Sequence, residues 1–491
     1  MRAITNPYLP LGVYIPDGEP HVFGDRVYIY GSHDASKAKV YCPGDYNVWS
    51  APVDDLTAWR DEGTSYLRRQ DPTNADDRMQ LWAPDVARGA DGRYYLYYCF
   101  PFYPEIGVAV SEKPEGPFEF YGHVQHPDGR VLKEDMVFDP AILVDDDGRV
   151  FLYYGFCPAE EKEMKFPEFT EEQIAAMPEE MRGMARTMKD VKLGENSMVA
   201  ELEADMKTVK GQPKVLIPGG HHTAGTGFEG HGFFEASSIR KFEGRYYFVY
   251  SSHKSHELCY AVSDRPDGGF RYGGIIVSNG DVGYHGRTKP SYTLSNNHGG
   301  IAKIGEQYYI FYHRATDGSE YSRQGCAEPI EILPDGSIPQ VEMTSCGLNG
   351  GPLPAKGMYP AAICCHMTCP RTMAHIDYTD PLNQDLTRIT EDRNEVFVTD
   401  VQDGTILGFK YFDFQAPSKA LLEIRGSFTG EAVLALDEDG ANPVGTLPLS
   451  VSDDVWQMKE AALSSVSGTA PLFLIFRGEG RLEIRSLGFM G

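Results

Sequence analysis

The sequence predicts an all-β protein, a five-bladed β-propeller followed by a jelly-roll-like β-sandwich. Three observations predict it. Glycine (52), Tyr (29) and Phe (25) are abundant in a chain of 491 residues, a mix that suits many short strands joined by tight turns. A glycine turn followed by an aromatic, β-branched strand recurs five times within residues 1–335, the mark of an architecture built by repetition. After the fifth copy the repeat stops, and short alternating strands begin near Phe397, which sets apart a second body.

The five copies run from Gly24 to Tyr30, Gly92 to Tyr98, Gly148 to Tyr154, Gly244 to Tyr250 and Gly305 to Phe311. Their glycines stand 68, 56, 96 and 61 residues apart, and each period holds a four-stranded blade with its loops. The long third period carries an insertion at about 157–192, rich in Glu, Lys and Met. Within it, Thr170 with Gln173 three residues on is a capping-box start for a helix through Ile174 and Ala175 toward Pro178, and a second short helix is expected over 179–189. Such an insertion is either a decorated surface loop or a lid over one end of the channel. A Gly/Pro/Cys-rich crossing fills 336–395, and 396–491 holds the strands of the sandwich, among them Ala420 to Arg425 and Leu472 to Phe476.

Charge and cysteine usage narrow the function. With 45 Lys and Arg against 71 Asp and Glu the net charge is −26, so neither nucleic acid nor an anionic membrane is an expected partner. The sequence has no apolar run long enough to span a bilayer and no apolar signal core after Met1, so no membrane span or secretory signal is read from it. Nine cysteines, an odd number scattered mostly beside aromatic and β-branched residues, read as buried free thiols in a reducing, cytoplasmic setting. Cys364, Cys365, His366 and Cys369 are too closely spaced for the two separated pairs of an ordinary structural zinc site.

The innermost strand of every propeller blade lines the central channel, so residues a fixed distance before each repeat glycine converge there. Seven or nine residues before the five glycines stand Asp17, Asp85, Asp139, Glu235 and His298. One acid beside one turn is ordinarily a cap or a solvated residue. Four acids and a histidine in phase are different, because crowded like charges have no stabilising role on a channel axis. Crowding separates their pKa values, leaving one carboxylate ionised and another protonated, as glycoside cleavage requires.

These segments resemble glycoside hydrolase family 43, five-bladed propellers that act on arabinose- and xylose-containing glycans. Asp17, seven residues before Gly24-Asp25, is similar to the family's general base, with Glu19 in Ile15-Pro16-Asp17-Gly18-Glu19 as a competitor. Phe138-Asp139-Pro140-Ala141 looks like the segment whose acid tunes and orients the proton donor, and Phe233-Phe234-Glu235-Ala236-Ser237 like that of the general acid. Trp82-Ala83-Pro84-Asp85 resembles the segment on the pocket floor. Asn297-His298-Gly299-Gly300 resembles the blade-five segment whose histidine lies on the axis, where many members hold calcium or water. The resemblance covers about residues 1–345, and the remainder is similar, more weakly, to carbohydrate-binding β-sandwiches.

The resemblance implies an inverting, exo-acting hydrolase releasing pentose, an α-L-arabinofuranosidase and/or β-D-xylosidase, from plant-type oligosaccharides or polysaccharides. Asp17 is its expected base, Glu235 its acid and Asp139 the tuning group. Expected sugar contacts are Trp82, Asp85 and one of Arg287 or Arg323, each arginine suiting an interblade ion pair equally well. A Ca²⁺ ion beside His298 would be held mainly through water, since calcium prefers oxygen ligands, and the acid–base chemistry does not require it. An endo-arabinanase or xylanase, a galactan-degrading relative, and a non-catalytic carbohydrate-binding propeller are the alternatives.

Overall fold

All five aromatic strands lie second in five separate sheets, each entered through its repeat glycine. The computed structural model describes residues 4–101, 103–133, 136–158, 169–177, 182, 185–186, 193–317, 319–371 and 386–491. Blade one is β1 (Glu19–Phe23), β2 (Arg26–Tyr30), β3 (Tyr46–Pro52) and β4 (Arg60–Tyr66); blade two is β5 (Trp82–Arg88), β6 (Tyr94–Phe100), β7 (Tyr103–Ser111) and β8 (Glu119–His123). Blade three is β9 (Ala141–Val144), β10 (Val150–Tyr154), β11 (Asn196–Leu202) and β12 (Lys214–Pro218), with helix α1 (Glu171–Ala176) between its second and third strands. Blade four is β13 (Phe233–Phe242), β14 (Arg245–Ser252), β15 (Glu257–Ser263) and β16 (Arg271–Ser278), and blade five has β17 (Ile301–Ile304), β18 (Gln307–Thr316) and β19 (Ser319–Ile330). The strands of each blade pair antiparallel in chain order, and the five repeat glycines have φ between +61° and +85°. That left-handed backbone is cheap only for glycine, which is why the repeat shows so clearly in the sequence.

Apolar side chains between neighbouring blades close the ring. One cluster joins blades one and two through Tyr30, Val48, Leu96 and Tyr98. Others join two to three (Val108, Leu152), three to four (Phe151, Phe248) and five to one (Phe311, Ile29). Among the described residues blade five has three strands, and the N-terminal segment covers its edge. The Tyr8 N–H donates to the Gly325 carbonyl at 3.2 Å. The Asn6 side chain accepts from Ala327 N–H and donates to its carbonyl, each at 3.0 Å, as a neighbouring strand's peptide would. An otherwise open edge is thereby paired.

The C-terminal body is one hydrogen-bonded network of nine strands: β20 (Leu353–Pro354), β21 (Gly357–Pro360), β22 (His366–Thr368), β23 (Arg388–Asp392), β24 (Glu395–Val401), β25 (Ile406–Gln415), β26 (Lys419–Ala435), β27 (Pro443–Ala462) and β28 (Ser467–Met490). The first part of β28 pairs with β25, its later part with β21 and β24, and β26 runs along nearly all of it. The segment 336–395, read from its Gly, Pro and Cys content as a crossing, contributes four of these strands. Proline and glycine hid them, because each pairs for only two to five residues. One apolar cluster runs from blades four and five (Tyr247, Ile276, Tyr312) into this body (Ile363, Phe412, Leu474).

The helix expected after Thr170 is α1, and both halves of its capping box form. The second helix expected over 179–189 lies almost wholly outside the described residues. All nine cysteines are buried and free. Among the described residues no helix is long and apolar enough to cross a membrane.

Candidate active site

A cavity of about 290 Å³ opens at the end of the propeller where the innermost strands begin. Asp17 and Asp139 each lie two residues before their strand, His298 three before β17, and Glu235 is the third residue of β13. All four line the cavity, with Arg323 from β19. Trp82, Phe138, Phe156 and Phe234 form one wall, with Phe138 centred 5.5 Å from Trp82 and 5.0 Å from Phe156. The insertion in blade three springs from this wall. Cys157 N–H donates to the Phe234 carbonyl at one root, and Gly194 N–H to the Phe156 carbonyl at the other.

The backbone is specialised where the carboxylates sit. Asp17 has φ +55°, Asp139 +46° and Ala236, beside Glu235, +67°. Residues other than glycine are held in this region only where their surroundings over-determine them. At β13 the pairing with β14 shifts register on both sides of Glu235, and such a bulge re-aims a side chain. The Ala236 N–H donates to Asp139 Oδ2 at 3.0 Å, tying two acid-bearing segments together.

Arg323 fixes the charge on Asp17. Its Nη1 donates to Asp17 Oδ1 at 2.9 Å, while Nε and Nη2 donate to Asp34 at 2.8 and 3.1 Å. The guanidinium carbon stands 4.8 Å from the centre of the Tyr41 ring. Burial alone would raise the Asp17 pKa, but the charge of Arg323 outweighs it and holds Asp17 below its ordinary value. His313 Nδ1 accepts the Asp17 N–H at 3.2 Å and its Nε2 lies 2.9 Å from the Asn296 carbonyl, so its proton is on Nε2. Burial, reinforced by Arg323, pushes the His313 pKa down to about 3, so that ring is neutral.

Glu235 is biased the other way. Burial, then the charge on Asp17, pushes its pKa up to about 8, against the opposing pull of Arg323. Asp139 is raised too, by burial and then by the charges of Glu235 and Asp17. The two titrate as a pair that keeps a proton near neutral pH. One site therefore holds an ionised carboxylate and a protonated one, the division of labour that acid–base cleavage of an acetal requires.

Two sequence expectations fail. Asp85 does not reach the cavity: it is fully buried, takes the N–H groups of Val86 and Ile142 at 2.8 Å each, and lies 2.6 Å from His21 Nε2. Its register against β6 slips between Trp82 and Asp85, so equal spacing from the glycine does not mean equal depth, and Trp82 and Ala83 line the cavity instead. Arg287 does not line the cavity either. It pairs with Glu438 of the C-terminal body at 2.5 Å. Sequence reasoning also missed Asp34, Tyr41, Asn296, His313 and Glu320. They come from loops and from the second and third strands of blade five, outside the phase of the repeat, and a rule counting back from each glycine cannot see them.

Glu19, the competitor for the base, lies one layer deeper, at 1% exposure. Its Oε2 accepts from Ser238 Oγ at 3.0 Å and from Arg240 Nη2 at 2.7 Å. Burial, eased by Arg240 and aggravated by Asp85, pushes its pKa up to about 8. It does not line the cavity. Glu19 Oε1 is buried without a hydrogen-bond partner, 3.9 Å from His298 Nε2. Both oxygens of Asp85 are taken by N–H groups. A burial-neutralised imidazole, with a guanidinium held on the neighbouring Glu19, is a poor anchor for calcium even where water completes its shell of six to eight oxygens, because the fixed positive charge repels the ion.

Comparison with known proteins accords with this geometry. The family model "Glycosyl hydrolases family 43" matches residues 4–195. A xylosidase/arabinosidase of Thermoclostridium stercorarium is 43% identical over 98% of each chain. A xylosidase/arabinosidase of Bacteroides ovatus is 30% identical over 68% of this chain and 97% of its own. Among solved structures, a GH43_1 enzyme from Xanthomonas citri complexed with xylose is 26% identical, with a TM-score of 0.51 over 71% of this chain and 96% of its own. Identity with the Thermoclostridium protein runs through both bodies, so the likeness is not confined to the propeller. This chain is a glycoside hydrolase and belongs to family 43.

Proposed function

We propose that the chain is an inverting, exo-acting hydrolase that releases a terminal pentose, as an α-L-arabinofuranosidase and/or β-D-xylosidase, from plant-type oligosaccharides. The observation that carries this is the opposite protonation bias of Asp17 and Glu235 in one cavity. Glu235 donates its proton to the departing glycosidic oxygen while Asp17 takes a proton from a water attacking the anomeric carbon from the other face. Asp139, joined to the Glu235 segment through Ala236, orients the donor and keeps its proton. Trp82 offers an apolar face to the sugar ring. Arg323 holds Asp17 ionised.

A volume of about 290 Å³ lies at the small end of ligand sites, about 300–1,000 Å³, which favours one sugar unit over a long chain. The names of the Thermoclostridium and Bacteroides relatives support pentose as the sugar. Nine buried free thiols support a reducing compartment as the place of action. A panel of aryl arabinofuranosides, xylosides and galactosides tests the sugar, and product length tests exo action. Proton NMR of the first product tests the stereochemistry: an anomeric configuration opposite to the substrate is expected, and retention would overturn the roles given to Asp17.

A further inference from the structure

Beneath the cavity the five blades meet in a single buried hub. Blade one supplies Glu19 and His21, blade two Asp85, and blade four Ser238 and Arg240. Blade three supplies the Ile142 N–H that Asp85 accepts. The segment leading into blade five supplies His298 and Gly300. A Cβ on Gly300 would lie 2.6 Å from Glu19 Oε2 and 2.5 Å from Ser238 Oγ, so its backbone seals the hub. Two carboxylates, Glu19 and Asp85, are thus buried together on the axis. A carboxylate ionised at such a depth is stabilised by a positive charge beside it.

Arg240 is that charge. Its Nη2 contacts Glu19 Oε2 at 2.7 Å, the Pro20 carbonyl at 2.9 Å and His21 Nε2 at 3.2 Å, and its Nη1 donates to the Ile239 carbonyl at 2.7 Å. The same His21 Nε2 lies 2.6 Å from Asp85 Oδ1, to which it donates when it carries the ring proton. The guanidinium therefore stands where a cation tying the blades together would act. A divalent ion placed among Glu19, His21 and Asp85, whose ligand atoms lie within 4.8 Å of one another, would meet it at close range and be repelled.

We propose that Arg240 is the resident cation of the propeller axis and that this enzyme holds its ring together without a divalent metal. The role of Arg240 is structural: Glu19, which it holds, lies 3.9 Å from His298 Nε2, and His298 Nδ1 lies 3.7 Å from Asp139 in the cavity above.

The test uses the full-length protein and reads metal and stability without substrate, so it stands apart from the choice of sugar. Elemental analysis of wild type, with melting curves in EDTA and in millimolar calcium, is expected to find far less than one metal ion per chain and one unchanged Tm. Arg240→Met is expected to lose several degrees of Tm and to regain part of them in calcium. Arg240→Lys keeps the charge and is expected to retain most of the wild-type Tm with no calcium response. One calcium per wild-type chain, with Tm falling on chelation, would overturn the proposal. So would a wild-type Tm for Arg240→Met. If the methionine variant does not fold, wild-type metal content and the lysine variant still decide the matter.

Discussion

Asp17 and Glu235 differ less in chemistry than in neighbours. A guanidinium 2.9 Å away keeps one ionised, while burial and that ionised charge keep the other protonated. The active form needs Glu235 protonated, so kcat/KM is expected to fall as pH rises through about 8. On the acid side it falls only below the usual aspartate range, where Asp17 takes up a proton. A pH profile of wild type against Glu235→Gln checks this: the variant should lose the alkaline limb, because amide titration does not occur there. Asp17→Ala and Glu235→Ala are each expected to lower kcat by roughly 10²–10⁴. For Glu235→Ala the loss should shrink on aryl glycosides with activated leaving groups, measured by their initial rates. Arg323→Met leaves Asp17 and Asp34 buried without their cation, and is expected to raise the pH at which the acid limb appears. Asp17, Asp139 and Glu235 were legible in the sequence because repetition puts them in phase. Arg323 was visible only as one of two arginines, since nothing in sequence separates a buried fork shared by two carboxylates from the Arg287 pair with Glu438.

The bulge in β13 is the element on which the acid depends. Ala236, fully buried at φ +67°, sits in a conformation that favours glycine and punishes branching at Cβ. Ala236→Gly should be neutral or mildly stabilising, and Ala236→Val should cost about 1–3 kcal/mol, read as a drop in Tm. Activity should fall with the valine variant because the Ala236 N–H that holds Asp139 moves with the strand. Strands β2, β6, β10, β14 and β18 could be read from sequence, since each follows a turn that demands glycine. The bulges could not. A register slip leaves no trace in composition, and it is what sends Asp85 inward while Trp82 stays in the wall. Helix α1 was legible for the opposite reason: its capping box is a purely local device, four residues long.

The propeller and the C-terminal body share one apolar core, reaching from Tyr312 to Leu474. They are pinned by Lys410, whose Nζ lies 3.1 Å from Asp281 and 2.8 Å from Glu342. Calorimetry should therefore show a single unfolding transition rather than two. Lys410→Met strands two carboxylates at that junction, with an expected cost of about 3–5 kcal/mol, and the whole transition should move together. Two separate transitions, only one of them shifted, would contradict this. The repeat announced five blades, but it said nothing of this junction, because contacts between distant segments have no period to read.

Pairing of the N-terminal segment with blade five fixes a timetable as well as a shape. Asn6 leaves the ribosome 321 residues before Ala327, its partner. At roughly 5–20 residues per second it waits roughly 16 to 64 s for it. During that interval blade one has no neighbour on its far side, and the ring exists only as an arc. Closure is therefore the last event of synthesis for this body. A nascent chain stalled before β19 would present two unpaired flanks, the form a chaperone has most reason to hold.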